Sequence, residues 1–186
     1  MIVRITLPLR ALCGAAALLL ATAAAAAPAH EHGVVKLDVA VEAGRILIEI
    51  DTPLDNLLGF ERAPRTDAER EKADAAIKKL RDAATMFRID GNAGCALGKV
   101  ELQSAPLQLG KKPAGAGEAS NANSVHADLE GSFEFKCTAG AKAAFLEVGL
   151  FDAFPQVKRI ELQVAAPKGQ MKATLRRPTT RVMLVR

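Results

Sequence analysis

The sequence predicts an α+β domain that is sandwich-like and mostly antiparallel, with about seven strands and one amphipathic helix. Apolar and polar residues alternate in short segments between 35 and 185, as expected for strands with one buried face. One long segment, 67–86, has helical spacing instead. Turn residues separate neighbouring segments, so most strands are expected to follow one another through short connections and to pair antiparallel.

The first 29 residues are predicted to be a secretory signal peptide that is cleaved from the mature protein. Two arginines precede an apolar stretch at 12–20, and small residues fill 21–29. Cleavage after Ala29 would make His30 the first mature residue, whereas cleavage three or four residues earlier would leave a short tail before it. The apolar stretch is too short and too rich in alanine to be a membrane span.

The mature chain, 30–186, is predicted to be a single β-rich domain, because its length is sufficient to bury a hydrophobic core. Two of the 25 basic residues lie in the signal peptide, which leaves 23 against 21 acidic residues. No dense run of Lys and Arg with interleaved aromatic residues occurs, so nucleic acid is not expected as a partner.

The mature chain begins with a predicted β-hairpin. Segments 35–41 and 46–50 alternate between apolar and polar residues, and Gly44 lies in the turn between them. Pro53 ends the second strand. The following segment, 54–64, is predicted to be irregular, with apolar patches that cover an edge of the core.

The amphipathic helix is predicted over about 67–86. Thr66 and Glu69 have the spacing of a capping box at its start, where acidic residues also favour the helix dipole. Apolar residues follow at helical intervals, and charged residues occupy the remaining positions. The charged face is therefore expected to be exposed to solvent.

Strands dominate the second half of the sequence. The predicted strands are 97–102, 125–137, 143–150, 157–164, 171–176 and 181–185. Between the first two, residues 110–124 include no large apolar side chain and are predicted to form a flexible loop.

Cys95 and Cys137 are the two cysteines of the predicted mature chain. An exported protein enters an oxidising compartment, and two cysteines allow one intramolecular pairing. We therefore predict a Cys95–Cys137 disulfide, since a metal site of two thiolates would need a reducing environment and closer spacing. Closing this loop would stabilise the fold by about 4 kcal/mol through the entropy of the unfolded chain.

The stretch His30-Glu31-His32-Gly33 lies at or next to the mature amino terminus. Imidazole is the commonest protein metal ligand, and the strand that follows could hold both rings still. If His30 is the first residue, its amine, two amides and the His32 imidazole have the spacing of a square-planar copper or nickel chelate. With a longer tail, the same residues form a two-histidine arm that suits zinc. A polar linker without metal is the alternative.

A second candidate lies on the predicted strand at 125–137. His126, Asp128 and Glu130 are two residues apart, so their side chains point to the same face. Two of them are close enough to share a zinc ion, although any solvent-facing strand shows the same alternation. The two candidates combine into one tetrahedral site, completed by water, only if the fold brings the amino terminus beside residue 126.

The sequence does not predict an enzyme. It contains no Gly-x-Ser-x-Gly elbow, no His-Glu-x-x-His motif, no phosphate-binding loop and no dinucleotide fingerprint. With the cysteines paired, a nucleophilic mechanism would have to recruit the same three histidines.

Several segments together form a pattern that covers nearly the whole mature chain. They are His30-Glu31-His32-Gly33 before a strand, residues 52–64, the helix ending near Phe87, Cys95, Phe133-Glu134-Phe135-Lys136-Cys137, Leu150-Phe151-Asp152-Ala153-Phe154-Pro155 and Gly169-Gln170. In these segments the chain resembles the ZrgA-like family, exported bacterial proteins linked to zinc uptake. The most specific part is Asn-Leu-Leu-Gly-Phe-Glu-x-x-Pro at 56–64.

The resemblance implies a periplasmic, non-catalytic protein that binds zinc and assists uptake by an ABC-type transporter or its binding protein. It implies ligand regions at His30 and His32 and at His126. Members of the family carry a long tract rich in His, Asp and Glu where this chain has 110–124, which contains no histidine and one acid, Glu118. This departure argues against a polyhistidine store of zinc and leaves either a single, weaker site or the loss of the metal function.

We therefore predict a zinc site among His30, Glu31, His32, His126 and Asp128. Two alternatives stay open. One is copper binding at the mature amino terminus. The other is a disulfide-stapled module that binds a transporter or another envelope protein through 54–64 and has no metal role.

Overall fold

The computed structural model describes residues 31–110 and 127–184, and it confirms the predicted fold class. The described residues form nine strands in two sheets, with four short or medium α-helices. The strands are β1 (Val34–Val41), β2 (Arg45–Pro53), β3 (Phe87–Ile89), β4 (Cys95–Gln103), β5 (Asp128–Cys137), β6 (Phe145–Val148), β7 (Arg159–Ala166), β8 (Gly169–Leu175) and β9 (Arg181–Met183). The helices are α1 (Leu54–Leu58), α2 (Asp67–Arg81), α3 (Ala83–Met86) and α4 (Leu150–Ala153), and 3-10 turns occupy Gly91–Ala93 and Gly140–Lys142.

The larger sheet has six strands in the order β4-β5-β2-β1-β7-β8, and the smaller has three in the order β3-β6-β9. Neighbouring strands pair antiparallel with one exception, since β1 runs parallel to β7. Val34 pairs with Arg159 at the start of this parallel ladder. The chain thus returns to its first strand after more than a hundred residues.

The hydrophobic core lies against one face of the larger sheet. Val35, Leu37 and Val39 alternate inward along β1, as the sequence pattern predicts. The smaller sheet packs on the same core, because the rings of Phe87 on β3 and Phe133 on β5 lie 5.0 Å apart at their centroids. The buried residues of α2 join this core: Ala73, Ala76 and Leu80.

The predicted amphipathic helix is α2 together with α3. The capping box is present, since the Thr66 hydroxyl accepts from the Glu69 N–H at 3.2 Å and the Glu69 carboxylate accepts from the Thr66 N–H. The α2 helix stops short of the predicted end at 86, and α3 completes the span. The chain then leaves the helical conformation because Phe87 pairs with Val148 in the smaller sheet.

Other elements differ from the predictions in detail. Segment 54–64, predicted as irregular, begins with the single helical turn of α1. The strand predicted at 143–150 is β6, and α4 follows it. Apart from Gly110, the predicted loop at 110–124 lies outside the described residues.

The predicted Cys95–Cys137 disulfide is confirmed. The two residues face each other where β4 pairs with β5, and the bond joins positions that are 42 residues apart in sequence. None of the helices in the described part of the chain combines the length and apolar character that a membrane span requires.

Candidate functional site

Three predicted ligands, Glu31, His32 and Asp128, lie close to one end of the larger sheet, where β1, β5 and β7 begin and β2 ends. We call this the site end and define it by the register pairs Val34–Arg159 and Pro53–Asp128. The short α1 helix follows β2 directly, so it covers the point where the chain enters β1.

A buried asparagine fixes that entry. Asn56 on α1 is only 1% exposed, and its side-chain oxygen accepts from the Gly33 N–H at 2.5 Å. Its amide nitrogen donates to the Val34 carbonyl at 2.7 Å and to the Thr52 hydroxyl at 3.0 Å. Because a buried amide must find partners, these bonds fix the residues before β1 against α1.

Gly33 is held from its other side as well. Its carbonyl accepts from the N–H groups of Lys158 and Arg159 at 2.8 and 2.9 Å. Its φ of 83° is in the left-handed region, and an added Cβ would lie 3.1 Å from the Lys158 side chain. Glycine is therefore required for the chain to turn into β1 at this close approach.

The fixed backbone places His32 between two carboxylates. The His32 Nε2 lies 2.8 Å from Glu61 Oε1, and the Nδ1 on the other side of the ring lies 3.7 Å from Asp55 Oδ2. The His32 side chain is 63% exposed, and the Glu61 side chain is 40% exposed. The imidazole is thus accessible from solvent while each of its nitrogens faces an acidic group.

Both carboxylates come from the segment that follows β2. Gly59 ends α1 in the left-handed conformation, with φ of 78°, and turns the chain toward Glu61. The next residue, Arg62, lies over the Phe60 ring at 4.9 Å and makes two hydrogen bonds to Glu69 at 2.8 and 2.6 Å. These contacts attach the residues on both sides of Glu61 to the rest of the fold.

The Glu69 carboxylate anchors that attachment. The Arg62 guanidinium, helped by the Arg65 backbone N–H, lowers the pKa of Glu69 from 4.5 to about 2. Glu69 is therefore ionised at neutral pH and continues to pair with Arg62 under mildly acidic conditions.

The predicted residue Glu31 has a different partner. Its carboxylate lies 2.6 Å from the Arg159 guanidinium, which also contacts Glu161 at 3.1 Å. Glu31 therefore stabilises the entry into β1 through the neighbouring strand β7. Its assignment as a metal ligand stays a prediction.

Asp128 begins β5 opposite Pro53, and Glu130 follows it on the same outer face. Glu130 lines a groove of about 310 Å³ together with the acidic residues of neighbouring strands, Asp38, Glu49, Asp51 and Glu101. Lysines pair with two of these acids, at 3.9 Å for Lys36–Asp51 and 2.8 Å for Lys99–Glu101. The described part of this face carries carboxylates without an imidazole among them.

His30 and His126 lie outside the described residues. The chain that follows His126 is described, however, and it begins at the site end. The carbonyl of Ala127, the residue after His126, accepts from the Leu54 N–H at 2.8 Å, next to Asp55 in α1. The segments that carry the predicted ligands therefore reach the same short helix.

Sequence patterns did not single out Asp55 and Glu61 as site residues, although both lie in the most distinctive segment of the chain. In 31–110 and 127–184, no three His, Cys, Asp or Glu side chains are arranged to hold a metal ion together. Imidazole nitrogen and carboxylate oxygen are nevertheless a donor pair that zinc accepts. The signal that could have drawn attention to this segment is Asn56, a polar residue among leucines that needs a buried partner.

The chain matches one family model over residues 29–184, described as ZrgA family zinc uptake protein. Comparison with curated proteins gives no match. The family match covers both segments that meet at His32.

Proposed function

Because the chain belongs to the ZrgA family of zinc uptake proteins, we propose that it is a periplasmic protein that binds zinc and assists its uptake without catalysis. The signal peptide predicted for 1–29 supports export. The Cys95–Cys137 disulfide supports a final location in an oxidising compartment. An ABC-type zinc transporter, or its binding protein, is the proposed recipient of the metal.

The observation that carries the proposal is the His32 imidazole. It is largely exposed, yet the backbone on its carboxyl side is fixed by the buried side chain of Asn56. A ligand on a fixed backbone loses less conformational entropy when it binds than one on a free tail. His32 therefore has the accessibility and the local order that a zinc ligand needs.

The predicted ligands His30 and His126 fit this proposal by position. His30 is two residues before His32, and His126 precedes Ala127, which is hydrogen-bonded to α1. Each would add an imidazole to the donor set if it reached the ion, which would raise the affinity. We propose these two residues as additional ligands, with Glu31 and Asp128 as the remaining candidates.

Zinc titration of the processed protein tests the function. We expect the protein to bind zinc, and His32→Ala to weaken binding by at least about tenfold, because an imidazole ligand is lost. His30→Ala and His126→Ala report on the two proposed additional ligands. Glu71→Gln, on the exposed side of α2, is the matched control and should bind like the unchanged protein.

The competing functions give different results in the same experiments. Absence of zinc or copper binding tighter than about 100 micromolar would overturn the proposal and leave an interaction module that acts through 54–64. Tighter binding of copper than zinc, lost on acetylation of the amino terminus, would indicate the terminal chelate. Mass spectrometry of the exported protein fixes the first mature residue, and a first residue other than His30 excludes that chelate.

A further inference from the structure

We infer that Glu61 is a zinc ligand together with His32, and that Asp55 orients the imidazole so that its Nε2 is free to bind the ion. The inference rests on the zinc-binding function proposed above and names part of its site. It assigns a metal role to two acidic residues of the 54–64 segment and makes this segment part of the zinc site.

The first step concerns the protons of the ring. A neutral imidazole carries one N–H, so it can donate to only one of the two carboxylates that face it. The Nε2 atom lies 2.8 Å from Glu61 Oε1, so Glu61 is the carboxylate that approaches a ring nitrogen closely. The 3.7 Å separation between Nδ1 and Asp55 Oδ2 is too long for a hydrogen bond.

Zinc binding would determine which nitrogen of the His32 ring carries the proton. An ion bound at Nε2 takes the lone pair of that nitrogen, so the remaining proton must be on Nδ1, where Asp55 can accept it. A neutral ring that carries its proton on Nε2 would move it to Nδ1 through solvent, and a protonated ring would release the Nε2 proton to water. A carboxylate that accepts the second N–H of a ligating histidine is the usual partner at zinc sites.

The distances permit this exchange. With zinc bonds of about 2.0–2.2 Å and a tetrahedral angle, the two donor atoms would lie roughly 3.3–3.6 Å apart. The observed 2.8 Å has to lengthen by less than about 1 Å, which the exposed side chains of His32 and Glu61 can accommodate. The backbone around Gly33 and Asn56 need not move.

His32 and Glu61 occupy two tetrahedral positions, which leaves two for the proposed additional ligands His30 and His126 or for water. A site with open positions exchanges its ion more easily than a closed four-ligand site, because water or a donor of another protein can enter. Such a site suits a protein that transfers zinc to a recipient protein, since the recipient can add its own ligands before His32 and Glu61 dissociate from the ion.

Substitutions at Glu61 and Asp55 test the inference by zinc titration. We expect Asp55→Asn to weaken zinc binding about tenfold, as for a partner of a ligating histidine, and Glu61→Gln to weaken it more, although both remove one negative charge. Glu61→His, which removes the same charge but restores a ligand atom, should retain most of the affinity. Glu71→Gln and Asp74→Asn, on the exposed side of α2, are the charge-matched controls.

Nitrogen NMR of the His32 ring gives a second measurement, because it reports which ring nitrogen carries the proton. If Asp55 acted on zinc through its charge alone, Asp55→Asn would not change this tautomer. Zinc should convert the ring to the Nδ1–H form with the ion on Nε2, and Asp55→Asn should reduce the population of that form. Urea unfolding of each variant checks that the fold is retained.

Three results would decide against the inference. If Glu61→Gln binds zinc as tightly as Glu71→Gln while His32→Ala does not, Glu61 is no ligand and the proposed function still stands. If Glu61→His is as weak as Glu61→Gln, Glu61 acts through its charge alone. If the unchanged protein binds no zinc, the proposed function fails, and this inference fails with it.

Discussion

The two ends of the six-stranded sheet are held in different ways. At one end, which we call the disulfide end, the Cys95–Cys137 bond joins β4 to β5 covalently. Backbone hydrogen bonds from Cys137 to Gly44 and from Gly140 to Ala43 add to it, each shorter than 3 Å. At the site end, one buried side chain, Asn56, fixes the entry into β1.

The disulfide end of the sheet contributes stability, whereas the site end carries the proposed metal ligand His32. Strand β5 runs from Asp128 at the site end to Cys137 at the disulfide end, a length of about 30 Å for a strand of this size. The His32 side chain is largely exposed, so it adds little to the buried core. A disulfide at the far end contributes its stability without restricting His32.

The comparison predicts the largest stability loss at the disulfide end. The double variant Cys95→Ala/Cys137→Ala should lower the free energy of unfolding by about 4 kcal/mol, because the unfolded chain regains the entropy of the open loop. Its zinc affinity, measured while the protein is still folded, should be unchanged. A change of affinity of about tenfold would mean that the two ends are coupled.

At the site end, loss of the buried asparagine should affect both properties. Asn56→Ala leaves the Gly33 N–H and the Val34 carbonyl without their partner, which should cost about 2 kcal/mol in urea unfolding. Zinc affinity should fall as well, because the His32 backbone is no longer fixed.

Asn92→Ala is the matched control for this prediction. It removes an exposed amide near the disulfide end and should change neither the free energy of unfolding nor zinc binding appreciably. If Asn56→Ala leaves zinc binding unchanged, the order around Gly33 does not contribute to the site.

A pair of glycine substitutions compares the two ends at a smaller scale. Gly33→Ala should destabilise the protein by about 1–2 kcal/mol, because its positive φ disfavours a Cβ and Lys158 lies close. Gly44→Ala, in the hairpin turn at the disulfide end, meets no atom within 4 Å and should be neutral or slightly stabilising. Thermal unfolding of both variants measures the difference, and equal losses would contradict the role assigned to Gly33.

Local patterns in the sequence predicted much of the fold. The alternation at 35–41 and 46–50 predicted the hairpin, Thr66 with Glu69 predicted the start of the helix, and two cysteines predicted their own pairing. Each signal depends on residues that are close in sequence or on simple counting. The parallel pairing of β1 with β7 depends on a register between distant segments, and no local pattern encodes it.

The site shows the same limit. His32 was a predicted ligand because imidazole is the commonest protein metal ligand and the chain contains only three histidines. Asp55 and Glu61 look like ordinary surface acids in the sequence, and they approach His32 where Asn56 fixes the residues before β1 against α1. A contact between segments more than twenty residues apart, created by one buried amide, is not visible in any periodicity.

The smallest expected effect concerns acid stability, which compares one carboxylate from each end. The folded-state pKa of Glu69, about 2, is below its ordinary value of 4.5, so this group stabilises the fold above about pH 4.5 and loses that contribution as the pH falls toward 2. Hydrogen bonds from the Asn92 and Ala144 backbone also lower the pKa of Asp90, near the disulfide end, and the sign of its effect is the same. Glu69→Gln should therefore flatten the pH dependence of urea unfolding in this range, and Asp90→Asn should flatten it independently.

Because the Arg62–Glu69 pair lies at the surface, its contribution to the pH-dependent stability should shrink in high salt. A Glu69→Gln variant with an unchanged pH profile would show that this pair does not attach the Glu61 segment to α2.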